Sequence, residues 1–149
     1  MSRIQNLQCR IRKFSSDVKL PVRNGACYDL FIPQDIWINA GETVKIGLGF
    51  ACQLPEGYHA LINMRSSTWK NYGVCLTNQT GIIDNKYNGN SDEWILSIYR
   101  PHSFDVAVKI PKDSRIAQFR LEKDSPDIDW VEVNELVSED RGGFGSTGK

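Results

Sequence analysis

Turn residues cut this chain into runs too short for independent helices. "QCRIRKF", "YDLFI", "IWINA", "TVKIGLGFACQL", "YHALINM", "VCLTNQTGIID", "WILSIYR", "FDVAVKI", "IAQFRLEK" and "DWVEV" are rich in β-branched and aromatic residues and are separated by Gly, Pro, Asn or Asp. An isolated helix needs on the order of 12 residues to persist in water. Only "SSTWKNYG" reads as a helix, with Ser66 or Ser67 as N-cap and Gly73 as its stop. The pattern predicts an all-β fold, a sandwich, jelly roll or barrel, with one short helix. At 149 residues without repeat or linker, the expectation is a single domain over 1–149.

Charge and cysteine usage narrow the function. Equal numbers of basic and acidic residues, 18 of each, give no sign of a general affinity for nucleic acid or anionic membrane and favour a small or specific partner. Cys9, Cys27, Cys52 and Cys75 form no C-x-x-C pair, and His59 and His102 are far apart, so a zinc site is not expected and the thiols read as reduced ones. Both histidines read as surface or hydrogen-bonded residues. The opening "MSRIQNLQCRIRKF" holds no seven-residue apolar run and the chain no stretch of 18 apolar residues, so a cytoplasmic protein is expected.

Several polar clusters carry both a chemical and a structural reading. "NMRSSTW" places Arg65, Ser66 and Ser67 where a helix starts, which suits an anion and equally an ordinary serine cap. "GIIDNKYNGN" reads as a hairpin turning through Asn88-Gly89, with Asp84 a backbone cap or a catalytic carboxylate. Asp29, inside the apolar "ACYDLF", needs a partner, and Arg115 is a candidate for a structural pair. The ending "EDRGGFGSTGK" is either a polar tail or an anion-binding loop, its glycines turning N–H groups toward a phosphate beside Arg141, Ser146 and Thr147.

In this order, "ACYDL", "MRSST", "TNQTGIIDNKYNGN", "RIAQF" and "RGGFGSTG" resemble the five motifs of the homotrimeric dUTP pyrophosphatases, or dUTPases, over about Gly25 to Lys149. The "PEGY…RSST" stretch and the compact "EDRGG" ending are similar to the branch found in Bacillus and its phages. The resemblance implies a jelly roll, three copies of which share active sites at their interfaces and hydrolyse dUTP to dUMP and pyrophosphate with Mg2+. It implies that Asp84 orients and deprotonates the attacking water. Arg65, Ser66, Ser67 and Gln118 would grip the phosphates, and Asp29 would hold Mg2+-bound water without touching the metal. Asn78, Gly81, Ile82 and Ile83 would read uracil, and Tyr87 would lie against the deoxyribose. A flexible arm, 139–149, would close over the substrate through Arg141, Phe144, Gly145, Ser146 and Thr147. Two positions depart from the usual motifs: Cys27 stands where glycine is common, and only Gly142 and Gly143 separate Arg141 from Phe144. Two alternatives remain at this point, a dCTP deaminase-like enzyme, which would need a glutamate absent from "WILSI", and a nucleotide-gated regulatory binding protein as a second role.

Overall fold

The computed structural model describes residues 6–145. The strands are β1 (Arg10–Lys13), β2 (Val22–Asn24), β3 (Cys27–Phe31), β4 (Ile36–Ile38), β5 (Thr43–Gln53) and β6 (Tyr58–Met64). After the helix α1 (Ser66–Tyr72) come β7 (Cys75–Leu76), β8 (Gly81–Ile83), β9 (Glu93–Tyr99), β10 (Val108–Ile110) and β11 (Arg115–Lys123). They form an all-β jelly-roll sandwich: a four-stranded sheet ordered β1-β5-β9-β7, a five-stranded sheet ordered β2-β3-β11-β6-β8, and a small β10-β4 pair. All pairings are antiparallel.

Strand alternation decides which side chains face between the sheets. On β5, Ile46, Leu48 and Phe50 are buried, and on β9 Trp94, Leu96 and Ile98 are. They meet Leu30, Ala60, Ile62, Ile116, Ala117 and Phe119 from the opposite sheet in one core. Trp94 joins the layers, edge-on to Phe119 at 5.2 Å and tilted against Phe50 at 5.3 Å between ring centroids. The β5–β9 register shifts between Gly47 and Ala51, where Gly49 sits at φ +80°. A Cβ at Gly49 would lie 2.7 Å from Val18, so both conformation and space require glycine there.

Four sequence expectations are corrected. "DWVEV" forms no strand; none of the described residues pairs with it, and everything from Glu122 to Gly145 is exposed, Trp130 by 88%. "VCLTNQTGIID" is two strands in different sheets, interrupted where Gln79 takes φ 60°. "GIIDNKYNGN" is not a hairpin, because β8 pairs with β6 whereas β9 pairs with β5 and β7, so residues 84–92 cross between sheets. Neither Asn88 nor Gly89 has the positive φ that a two-residue hairpin turn of type I′ would need. Finally, the helix N-cap is Arg65, extended at φ −72° and ψ 153°, with no side-chain cap bond; its carbonyl accepts the Thr68 N–H at 3.1 Å. Gly73 is the left-handed C-cap, as the sequence indicates. The sequence reading also missed β2, which extends the sheet beyond β3. Among the described residues no helix is long and apolar enough to cross a membrane.

Candidate active site

The five-stranded sheet places Asp29, Gln118 and Asn63 in one row, since Gln118 on β11 is paired with Asp29 on β3 and with Asn63 on β6. Directly paired residues share a face, so these polar side chains are neighbours. Asp29 has no exposed surface. Its Oδ2 accepts from Asn24 Nδ2 at 3.1 Å and lies 3.4 Å from an Arg115 terminal nitrogen, so the anticipated structural pair is present. Arg65 Nε stands 3.2 Å from Oδ1 as an ion pair, but at an angle that leaves this oxygen without a hydrogen bond. Arg65 is fixed further by donating to the Arg115 carbonyl at 3.0 Å, and its own N–H donates to Ile116 O at 3.0 Å. Two guanidinium groups around one carboxylate leave an excess of positive charge, which suits a phosphate.

The helix carries the two hydroxyls of this end. Ser66 is its first residue, and with Arg65 as the cap neither serine hydroxyl is spent on capping. Thr68 anchors the turn by donating from Oγ1 to Ile116 O at 2.6 Å. At the other end of the helix the buried Arg100 donates to Tyr72 O at 2.5 Å and to Val106 O at 3.0 Å, and it lies 4.4 Å over the Phe104 ring. A cation suits the negative end of a helix. Gln118 donates from Nε2 toward Met64 O at 3.4 Å, beside the same turn.

The other group gathers around β8, the edge strand of its sheet, whose outer row of N–H and C=O groups pairs with no strand among the described residues. Asn78, Gly81, Ile82 and Ile83 line one cleft of about 260 Å3 together with Lys45 and Ser97 of the facing sheet. Asp84 follows directly and is exposed, its Oδ1 accepting the Lys86 N–H at 2.8 Å and its carbonyl the Tyr87 N–H at 3.0 Å. The Tyr87 hydroxyl donates to Glu93 O at 2.7 Å. Asn85 donates to the carbonyls of Pro55 (2.7 Å) and Tyr58 (3.2 Å), fastening the crossing segment to the start of β6. Asn63 donates to Thr80 Oγ1 at 2.7 Å and accepts from Arg120 at 3.0 Å, tying the start of β8 to the Asp29–Gln118–Asn63 row.

The Asn63–Thr80 bond joins the two groups, but Asp84 and Arg65 are held apart within one chain. Ile83 pairs with Ala60 near the start of β6, whereas Arg65 follows Met64 at its end. Five residues of strand separate those levels, roughly 17 Å at about 3.3 Å per residue. Sideways, β8 and Asp29's strand lie three strand spacings apart, about 14 Å, with β6 and β11 between them. In the tail, Arg141 and Phe144 are exposed and Gly145 is left-handed at φ 81°, while Ser146 and Thr147 lie outside the described residues.

Asn24, Asn63, Asn85 and Arg100 were missed by the sequence reading. Of these only Asn85, beside Asp84 in a turn-rich segment, had a local signal, the habit of asparagine to bond nearby backbone. His59, at the start of β6, bonds Asp124 at 2.9 Å. Among the described residues no three His, Cys, Asp or Glu side chains cluster as metal ligands. Asp29 Oδ1, a buried acceptor without a hydrogen bond, has the chemistry to accept from a metal-bound water but lacks, among the described residues, the neighbouring ligands to hold a metal itself.

The dUTPase family model matches residues 16–148. This chain belongs to the dUTPase family. It is 43% identical over 127 residues to the SPbeta prophage-derived deoxyuridine 5'-triphosphate nucleotidohydrolase of Bacillus subtilis, covering 85% of this chain and 87% of that protein. It is 33% identical to the deoxyuridine 5'-triphosphate nucleotidohydrolase of Nautilia profundicola, over 96% of this chain and 100% of that one. The structure of the Staphylococcus bacteriophage 80alpha dUTPase with dUPNHPP superposes with a TM-score of 0.80 at 26% identity, covering 95% of this chain and 98% of that chain. The dUTPase of S. aureus phage phi11, a structure describing coordination of a structural Mg(II) ion, shares the fold at a TM-score of 0.72 and 22% identity, over 87% and 99% of the two chains.

Proposed function

We propose that this dUTPase-family chain hydrolyses dUTP to dUMP and pyrophosphate at sites completed by more than one copy, in a homotrimer. The observation that carries the shared site is the separation along and across the five-stranded sheet. Asp84 and the Arg65–Ser66–Ser67 turn must act on the same α-phosphorus, yet one chain holds them farther apart than a phosphate ester can bridge. A second copy supplies the missing end. The tail fits the same assembly, for Trp130, Val131, Leu136 and Val137 are at least 78% exposed in the single chain and need cover.

Within such a site each residue has a task matched to its chemistry. Unpaired backbone groups along Gly81 to Ile83, with Asn78, read uracil. Their donor and acceptor pattern is fixed, so cytosine would leave buried groups unpaired. The Tyr87 ring, held through its hydroxyl before substrate arrives, lies against the deoxyribose and leaves no space for a 2′-hydroxyl. Asp84 orients a water and takes its proton as the new O–P bond forms at the α-phosphorus. Ser66 donates near the α–β bridging oxygen, where charge develops as pyrophosphate leaves, and Arg65, Ser67 and Gln118 hold the phosphates. The chemistry that Mg2+ supplies when bound is neutralisation of phosphate charge. Asp29 Oδ1 would meet the metal through a water. Residues 139–149 of a neighbour act as an arm, with Arg141, Ser146 and Thr147 on the γ-phosphate side, Phe144 on the base and Gly145 allowing the turn.

The deaminase alternative is set aside. The only carboxylate on β9 is Glu93, one residue before "WILSI", and it packs against Gly47 of the same sheet. Pyrophosphate release measured for each deoxynucleoside triphosphate with Mg2+ should be confined to dUTP, and light scattering should give about three times 16.9 kDa. Ammonia release from dCTP, or an active monomer at micromolar concentration, would overturn the respective reading.

A further inference from the structure

At the edge of the four-stranded sheet two of the four free cysteines come together. Ile11 on β1 is paired with Cys52 on β5, and Cys9, two residues earlier, falls on the same face and diagonally adjacent. Both thiols line one cavity of about 510 Å3 with Leu7, Ile11, Phe50 and Trp94. Their surroundings differ: Cys9 is exposed and just outside the ladder, whereas Cys52 is 6% exposed within it. We propose that Cys9 and Cys52 are a dithiol modification site that exchanges with small-molecule disulfides and closes to an intramolecular disulfide.

The roles follow from access and protonation. The neighbouring Cys52 thiol holds the Cys9 thiol down at about 7, against burial that pushes it up. The contact with Cys9, and then burial, pushes the Cys52 thiol up. Cys9 is therefore the attacking thiolate and Cys52 the resolving thiol. Cys9 sulfur attacks one sulfur of the small disulfide, forming a mixed disulfide and releasing the first small thiol, which carries the Cys9 proton. Cys52 sulfur then attacks Cys9 sulfur and releases the second small thiol, which carries the Cys52 proton. Two protein thiols are oxidised and one small disulfide is reduced. A diagonal pair is about 1 Å too far apart at Cα for an unstrained bridge, and Cys9, beyond the last paired residue, can move that far. The bond ties the start of β1 to β5, and β1 also holds the segment after Asp84, since Arg12 donates to Asn90 O at 2.9 Å.

The test uses reduced full-length protein incubated with oxidised glutathione, then alkylated and mapped by mass. Two of the four thiols should escape alkylation, joined as Cys9–Cys52, and the oxidised protein should melt about 5 °C higher. Cys52→Ser should stop at glutathione on Cys9. Should that core variant fail to fold, Cys9→Ser, at an exposed position, should form no intramolecular disulfide and show no rise in Tm on oxidation. Four alkylatable thiols after treatment, glutathione retained on Cys9 of the parent protein, or a link through Cys27 or Cys75 would each overturn the proposal.

Discussion

At the Met64 end of β6, a carboxylate with no exposed surface is enclosed by two guanidinium groups and an amide; at the Tyr58 end, Asp84 stands in solvent, its side chain accepting the Lys86 backbone N–H. The first arrangement is tied into strand pairing and core, and the second hangs from an edge strand. Charge built into a sheet interior is part of what holds the fold, so its removal is felt by the whole domain. Charge presented at an edge can serve chemistry with little consequence for stability. The two ends should therefore respond differently to the same kind of substitution.

The largest expected contrast is at the open end. Asp84→Asn should lower turnover at least about a hundredfold, the scale for losing a general base, while dUTP binding is retained and Tm shifts by less than about 1 °C. Ser66→Ala, at the exposed start of α1, should lose on the order of a hundredfold for want of a leaving-group donor. Co-refolding the two inactive variants in equal amounts sharpens the comparison, because some sites then draw an intact open end from one chain and an intact enclosed end from another. About a quarter of the parent activity should return. If mixing restores nothing, both ends serve one chain and the shared site is wrong.

Ending the chain after Glu139 should cost about two orders of magnitude in activity and leave Tm nearly unchanged, since the removed residues that the structure describes are exposed. Parent-level activity in the truncated protein would make this segment an idle tail, and unfolding would make it a staple. The largest expected change in stability belongs to Asp29→Ala. Leaving two guanidinium groups without their buried partner costs about 3–5 kcal/mol, and Tm should fall by about 10 °C. An unchanged melting curve would erase the difference between the two ends.

The sequence exposed these ends unequally. Strand spacing located most of the sheet elements, because alternation and turn residues are local properties, and Gly73 marked the end of α1 for the same reason. Local pattern could not say which strands pair. The "GIID" and "WILSI" runs are separated by the turn-like "NKYNGN", yet they entered different sheets because β6 and β5 are their partners. "DWVEV" has strand composition without a pairing neighbour among the described residues, and propensity does not reveal that lack. Asp29 announced its need for a partner by being charged in an apolar run, and Arg115 answered it. The additional approach of Arg65 and Asn24 depends on strand register and was not readable in advance.

The two ends of β6 also bear on dose. On the shared-site reading a newly made chain carries two halves of different sites and can complete neither. Output then climbs more steeply than the amount of protein, and dilution silences molecules that are still fully folded. A cell making few copies would see almost no clearance of dUTP, while one making many would see it begin abruptly, a threshold set by how far apart one strand holds its two ends.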